Sequence, residues 1–195
     1  MHGLINRSVQ NFLNETYGKN LWRDVAGEIG LLPDGFEPML QYPDDLTEAL
    51  LDAAAARLGK PRLALLEDLG AHLVSIEPLR RLLRFGGADF AEFVLSLDEL
   101  EGRGLMALPE LEMPSLVLCD AAGGRFRMQV HARWEGWVAV VAGLLRAMAD
   151  DYGALALIEM EEAGYGAAGI VHVTLHDARF AEGRRFDLTQ PAAVH

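Results

Sequence analysis

The residues able to do chemistry in this chain are few and scattered. His72 lies on the apolar stripe of a helix beside Leu69 and Leu73, where an imidazole can serve as a core hydrogen-bonding group or as a ligand. His172 and His176 alternate with Ile170 and Thr174 along one strand face, a spacing that suits either a stray cation or an exposed sheet surface. His131 shares a face with Arg127, Gln129 and Arg133 and is expected to point outward. The carboxylate pairs Asp44-Asp45 and Glu161-Glu162 read as helix-capping groups and solvated faces rather than as an acid–base dyad. The single cysteine, Cys119, can neither close an internal disulfide nor build a thiolate metal site. No Gly-rich phosphate loop, HExxH helix or Gly-x-Ser-x-Gly elbow occurs, so no nucleophile-and-base set can be assembled and no enzyme is expected. No metal site is expected either.

The elements that position these residues follow from periodicity. The 195 residues are 51% hydrophobic and 24% charged, which fits one folded domain and excludes a disordered chain. With 17 basic against 29 acidic residues the formal charge is −12, so a nucleic-acid or anionic-membrane surface is excluded. No apolar run is long enough to span a bilayer or open a signal peptide, and a cytoplasmic protein is expected. Helical spacing runs through Ile5–Tyr17, Leu21–Ile29, a helix capped by Asp44 or Asp45 and closed by Gly59, and a helix entered at Pro61. A further piece follows Pro78 and breaks at Gly86-Gly87, and a single helix is expected from about Ala88 to Gly102. From Ser115 the period changes to two. Strands are expected at 115–119 and 125–134 about Ala121-Ala122-Gly123-Gly124, then a helix from Trp137, then strands near 154–161 and 169–176 joined by Ala163-Gly164-Tyr165-Gly166. The fold class is α+β: a helical N-terminal half packed on a C-terminal four-stranded antiparallel sheet with an inserted helix. One domain is expected over 1–178, helical to about 112 and sheet-containing from 113, with an irregular tail over 179–195.

Several segments together resemble the haem–nitric oxide binding (H-NOX, or HNOB) family. They are the opening Met1-His2-Gly3-Leu4-Ile5-Asn6, Tyr17-Gly18 with Trp22, Tyr42-Pro43-Asp44-Asp45, and Leu58-Gly59-Lys60-Pro61. Leu97-Asp98-Glu99-Leu100, Leu108-Pro109-Glu110-Leu111, Met113-Pro114, Gly136 and Gly143-Leu144-Leu145 continue the likeness without a gap. The resemblance implies a haem between the helical half and the sheet, an axial His on a ligand helix, and a Tyr-x-Ser-x-Arg strand motif for the propionates. It also implies regulation of a kinase, cyclase or diguanylate cyclase partner by a bound gas. Pro114 falls in the cofactor-contacting segment, and the distal wall corresponds to Ile5, Leu73 and Val140, all apolar.

The chain departs from that pattern where the chemistry sits. The axial His position is Glu101, four residues after Leu97 and eight after Phe93, and a continuous helix would put it on the buried stripe. A carboxylate there could be an unusual iron ligand, pair with Arg80, Arg81 or Arg84, or sit at a frayed end before Gly102. The propionate positions are Val130, Ala132 and Trp134, one apolar strand face without donors, and the Trp134 indole could fill cofactor space. Haem is the family's cofactor, but this chain is expected not to hold it in that way, leaving either a collapsed site or one for another apolar ligand. The expected function is a standalone bacterial signalling domain acting in trans on a protein such as a histidine kinase or diguanylate cyclase. The alternative is a haem-based gas sensor with altered ligation, His72 being a substitute ligand.

Overall fold

The computed structural model describes residues 1–32, 34–107, 112–161 and 168–186. Helices α1 (Gly3–Tyr17), α2 (Lys19–Glu28), α3 (Asp44–Leu58), α4 (Arg62–Ser75), α5 (Glu77–Arg84) and α6 (Phe90–Leu95) come first. A 3₁₀ turn at Ser96–Glu99 leads into α7 (Leu100–Ala107). Strands β1 (Ser115–Ala122) and β2 (Arg125–His131), helix α8 (Trp137–Tyr152), and strands β3 (Leu155–Glu161) and β4 (Gly169–Asp177) complete the order. The α+β class expected from the pattern is what the chain adopts. Leu108-Pro109-Glu110-Leu111 and Ala163-Gly164-Tyr165-Gly166 lie outside the described residues, as does 187–195 of the tail. Among the described residues no helix is long and apolar enough to cross a membrane.

The chain divides into two compact units, Met1–Leu65 with Gly104–Met113, and Leu66–Arg103 with Pro114–His195, and it passes between them within α4. In the first unit the apolar stripes of α1 (Val9, Phe12, Leu13), α2 (Trp22, Val25) and α3 (Leu50, Leu51, Ala54) are buried together with Phe36. The Phe36 ring stands edge-on to Tyr42 at 5.0 Å. Asp44 and Asp45 do not cap α3. Pro43 holds the cap position, and both carboxylates fall in the first turn, where the helix dipole favours negative charge.

In the second unit the four strands form one antiparallel sheet in the order β1-β2-β4-β3. The β1–β2 hairpin is tighter than expected: Ala121 and Ala122 belong to β1, and only Gly123 and Gly124 turn, both with positive φ. Registers Leu116↔Val130, Met128↔Val171 and Val173↔Ile158 align an apolar face. That face is buried with Val138, Val141, Leu145 and Met148 of α8 and with Phe90, Phe93, Val94 and Leu97. Residues offset by one fall on the other face. There His172 faces Arg127 and Glu159, and its Nε2 lies 2.7 Å from Glu161 Oε2, while His176 is exposed. Ile170, grouped with these histidines by alternation, is buried.

Candidate functional site

Glu101 is not on the buried stripe. The expected single helix over 88–102 is interrupted, because α6 stops at Leu95 and the chain runs as a 3₁₀ turn to Glu99 before α7 begins. A 3₁₀ residue advances about 120° against 100° in an α-helix, so four of them rotate the succeeding helix by roughly 80°. Phe93 and Leu97 stay buried, whereas Glu101 emerges partly exposed in the first turn of α7, a favourable place for a carboxylate. Of the three arginines offered to it as partners, Arg80, Arg81 and Arg84, the first and last are held by Asp151 instead.

The propionate positions also differ from expectation. Strand β2 ends at His131, so the alternation that placed Val130, Ala132 and Trp134 on one face stops after Val130. Val130 is fully buried in the sheet core. Ala132 and Trp134 lie in the loop leading to α8. The Trp134 ring lies over the backbone of Gly136, where an added Cβ would come within 2.3 Å of Cζ2, and edge-on to Trp137 at 5.9 Å. Pro114 and Val140 are buried, Leu73 is partly buried, and Ile5 is buried in the first unit. His72 is partly exposed on α4, with its Nε2 enclosed by protein. At the positions that the resemblance assigns to an imidazole and three polar donors stand a partly exposed carboxylate and three apolar side chains, and these side chains do not supply that donor set. An open depression of about 230 Å³ in the first unit is lined by Gln10, Asn14, Lys19, Trp22 and Arg23.

The strongest electrostatic feature of the second unit was not anticipated. Arg80 and Arg84, one turn apart on α5, converge on Asp151 in the last turn of α8. Arg80 Nε donates to Asp151 Oδ1 at 2.6 Å, both residues being 5% exposed or less, and Arg84 Nη1 lies 3.5 Å from Oδ2. Burial opposes the charge on Arg80, but Asp151, by hydrogen bond and by charge, and Glu77 hold its pKa above the ordinary guanidinium value. A sequence signal did exist: Asp151 continues the apolar stripe of Leu144 and Met148 at helical spacing, where a solvated acid has no reason to be.

Beside this cluster, Arg84 stacks over the Tyr152 ring at 3.8 Å, and the phenol donates to Gly87 O at 2.8 Å. Burial pushes the Tyr152 pKa up to about 12, with Arg84 pulling it down and Asp151 adding to the rise. A folded value above the unfolded one near 10 means this stabilisation is complete below about pH 10 and is lost as the pH rises to about 12. An alkaline absorbance titration should therefore contain a component that ionises near pH 12. Substituting Tyr152→Phe should remove that component, and an unchanged titration in this variant would refute the assignment.

Comparison with known proteins agrees with the architecture. The family model described as "Haem-NO-binding" (HNOB) matches residues 2–160. Among curated proteins, the chain is 25% identical over 150 residues to "Soluble guanylate cyclase gcy-31" of Caenorhabditis elegans, covering 75% of this chain and 21% of that one. It is 27% identical over 123 residues to "Soluble guanylate cyclase 89Da" of Drosophila melanogaster, covering 62% and 18%. The chain thus spans about a fifth of the length of these relatives. Among solved structures, an H-NOX mutant from T. Tengcongensis superposes with a TM-score of 0.77 at 16% identity, covering 91% of this chain and 99% of that one. The Fe(II) unliganded H-NOX protein from K. algicida gives 0.75 at 16%, covering 96% and 100%. These likenesses establish the fold, and the family model matches well over half of the chain. The chain belongs to the haem–NO-binding (H-NOX) family.

Proposed function

We propose that this chain is a non-catalytic H-NOX-family signalling domain that does not hold haem in the family manner and regulates a protein effector. What supports this reading is that Glu101, Val130, Ala132 and Trp134, the positions that the resemblance assigns to the axial imidazole and the propionate donors, carry neither an imidazole nor those donors. Either change alone would leave half of the cofactor's anchorage, and together they leave neither. What remains is an ordered second unit whose core extends through the sheet, α6 and α8, so the domain keeps a surface to present. The matched relatives are soluble guanylate cyclases in which this region is a small part of the whole. A histidine kinase, a cyclase or a diguanylate cyclase in the cytoplasm is the partner class that this reading favours.

The test is an absorption spectrum of protein expressed with haem precursor and then titrated with hemin. The expected result is the broad absorption of adsorbed hemin without a sharp Soret band. Glu101→His alone should give weak uptake. Adding Val130→Tyr, Ala132→Ser and Trp134→Arg should tighten it at least about tenfold, because hydrogen bonds to a charged group contribute ~1.5–3 kcal/mol each. Equally tight uptake by the single variant would show that the strand positions matter little. A sharp, nitric-oxide-sensitive Soret band in the unsubstituted protein would overturn the reading and make His72 the next residue to replace.

A further inference from the structure

The chain after β4 is not a loose tail over its described length. Ala181 N donates to Gly153 O at 3.0 Å, and Arg184 N donates to Asp151 O at 2.8 Å. Arg80 Nη2 donates to the carbonyls of Arg184 at 3.3 Å and Arg185 at 3.0 Å. Gly183 rides directly on the last turn of α8, where an added Cβ would stand 2.7 Å from the Tyr152 carbonyl. The Phe186 ring closes the segment, edge-on to Phe85 at 6.2 Å and 5.2 Å from the Arg84 guanidinium carbon.

Beneath this segment lies an incomplete polar arrangement. Arg84 Nε and Nη1 and Asp151 Oδ2 are buried without a hydrogen bond, although Nη1 and Oδ2 form an ion pair at 3.5 Å. Such groups are costly when closed off and are satisfied as soon as water reaches them. Closing therefore gains four backbone-acceptor hydrogen bonds, one aromatic contact, the stacking of Arg80 and Arg84 on Phe186 and an exposed Arg184–Glu77 ion pair, and it forfeits hydration of a cation and an anion. Few apolar contacts and unsatisfied charge beneath characterise segments that open locally while the rest of a domain stays folded.

We propose that residues 181–186 form a releasable strap, held over α5 and the end of α8 by Arg80 and Phe186, whose opening hydrates and exposes the Arg84–Asp151 pair. In the open form α5 presents Arg84 and Phe85 to an incoming group, and in the closed form the chain's own Phe186 occupies that place.

Trypsin reports the strap directly, because the two carbonyls that Arg80 holds are the scissile carbonyls of Arg184 and Arg185. Arg179, outside the strap and exposed, is the internal reference. On the full chain under native conditions, Phe186→Ala should speed cleavage after Arg184 and Arg185 about tenfold relative to Arg179. Amide protection of α5 and α8 should not change. Arg84→Met, which removes the buried cation whose Nε and Nη1 make no hydrogen bond, should slow the same cleavages. An unchanged ratio in Phe186→Ala would overturn the proposal. So would loss of α5 and α8 protection together with the strap, or faster cleavage in Arg84→Met, which would mean that Arg84 merely props the segment in place.

Discussion

Asp151→Ala is expected to destabilise the protein by about 3–5 kcal/mol, because it leaves Arg80 as a buried charge without its carboxylate. Arg80 is 3% exposed, and its remaining acid, Glu77, is reached only at 3.3 Å from a half-exposed position. For a domain of this size such a loss corresponds to a fall in Tm of roughly 6–20 °C. Asp151→Asn should cost less, since an acceptor for Arg80 Nε survives although the charge does not. The exposed pair between Arg103 of α7 and Glu99 of the preceding 3₁₀ turn is the contrast: Glu99→Ala should cost under about 1 kcal/mol. Urea denaturation of the three variants measures this ordering. A loss below about 1 kcal/mol for Asp151→Ala would mean that water reaches the cluster readily in the folded state.

The second large effect is expected at a glycine. In α8, a Cβ on Gly143 would stand 1.9 Å from the Glu67 carbonyl oxygen of α4, and one on Gly70 of α4 would stand 2.0 Å from Val140 O. The two helices cross backbone to backbone, so the obstacle is main chain and cannot turn aside as a flexible side chain would. Gly143→Ala should therefore destabilise by about 3 kcal/mol, at the upper end of ordinary overpacking. It should do so even though alanine is the better helix former. Gly102→Ala tests the argument from the other side: it lies within α7 with nothing near its added Cβ, and should stabilise by ~0.5–1 kcal/mol. Two alanines of like effect would show that the crossing has room to relax.

Gly143 also separates what pattern reading can and cannot reach. As part of Gly143-Leu144-Leu145 it contributed to the family likeness, but nothing in the local sequence explained why that position resists a side chain. The partner is a carbonyl 76 positions earlier, and only the crossing brings the two together. Trp134 is a similar case. Alternation placed it on the strand face of Val130, but the strand ends at His131 and its ring packs on Gly136 and Trp137.

What the sequence by itself determined was the set of elements and their class. Apolar spacing of three and four, then of two, located the helices and the strands. Gly59 and Gly123-Gly124 marked turns because their backbones need positive φ. The residue types at 101, 130, 132 and 134, on which the proposed loss of the haem site rests, were legible from the chain alone. Tertiary structure alone decided the phase of Glu101, the pairing of Arg80 and Arg84 with Asp151, and the fastening of 181–186. Periodicity assumes a constant helical pitch, and the 3₁₀ turn at Ser96–Glu99 breaks that assumption to keep Phe93 and Leu97 in the core. Pairing of buried charges depends on which helix ends meet in space, a relation between residues about 70 apart that no local spacing records.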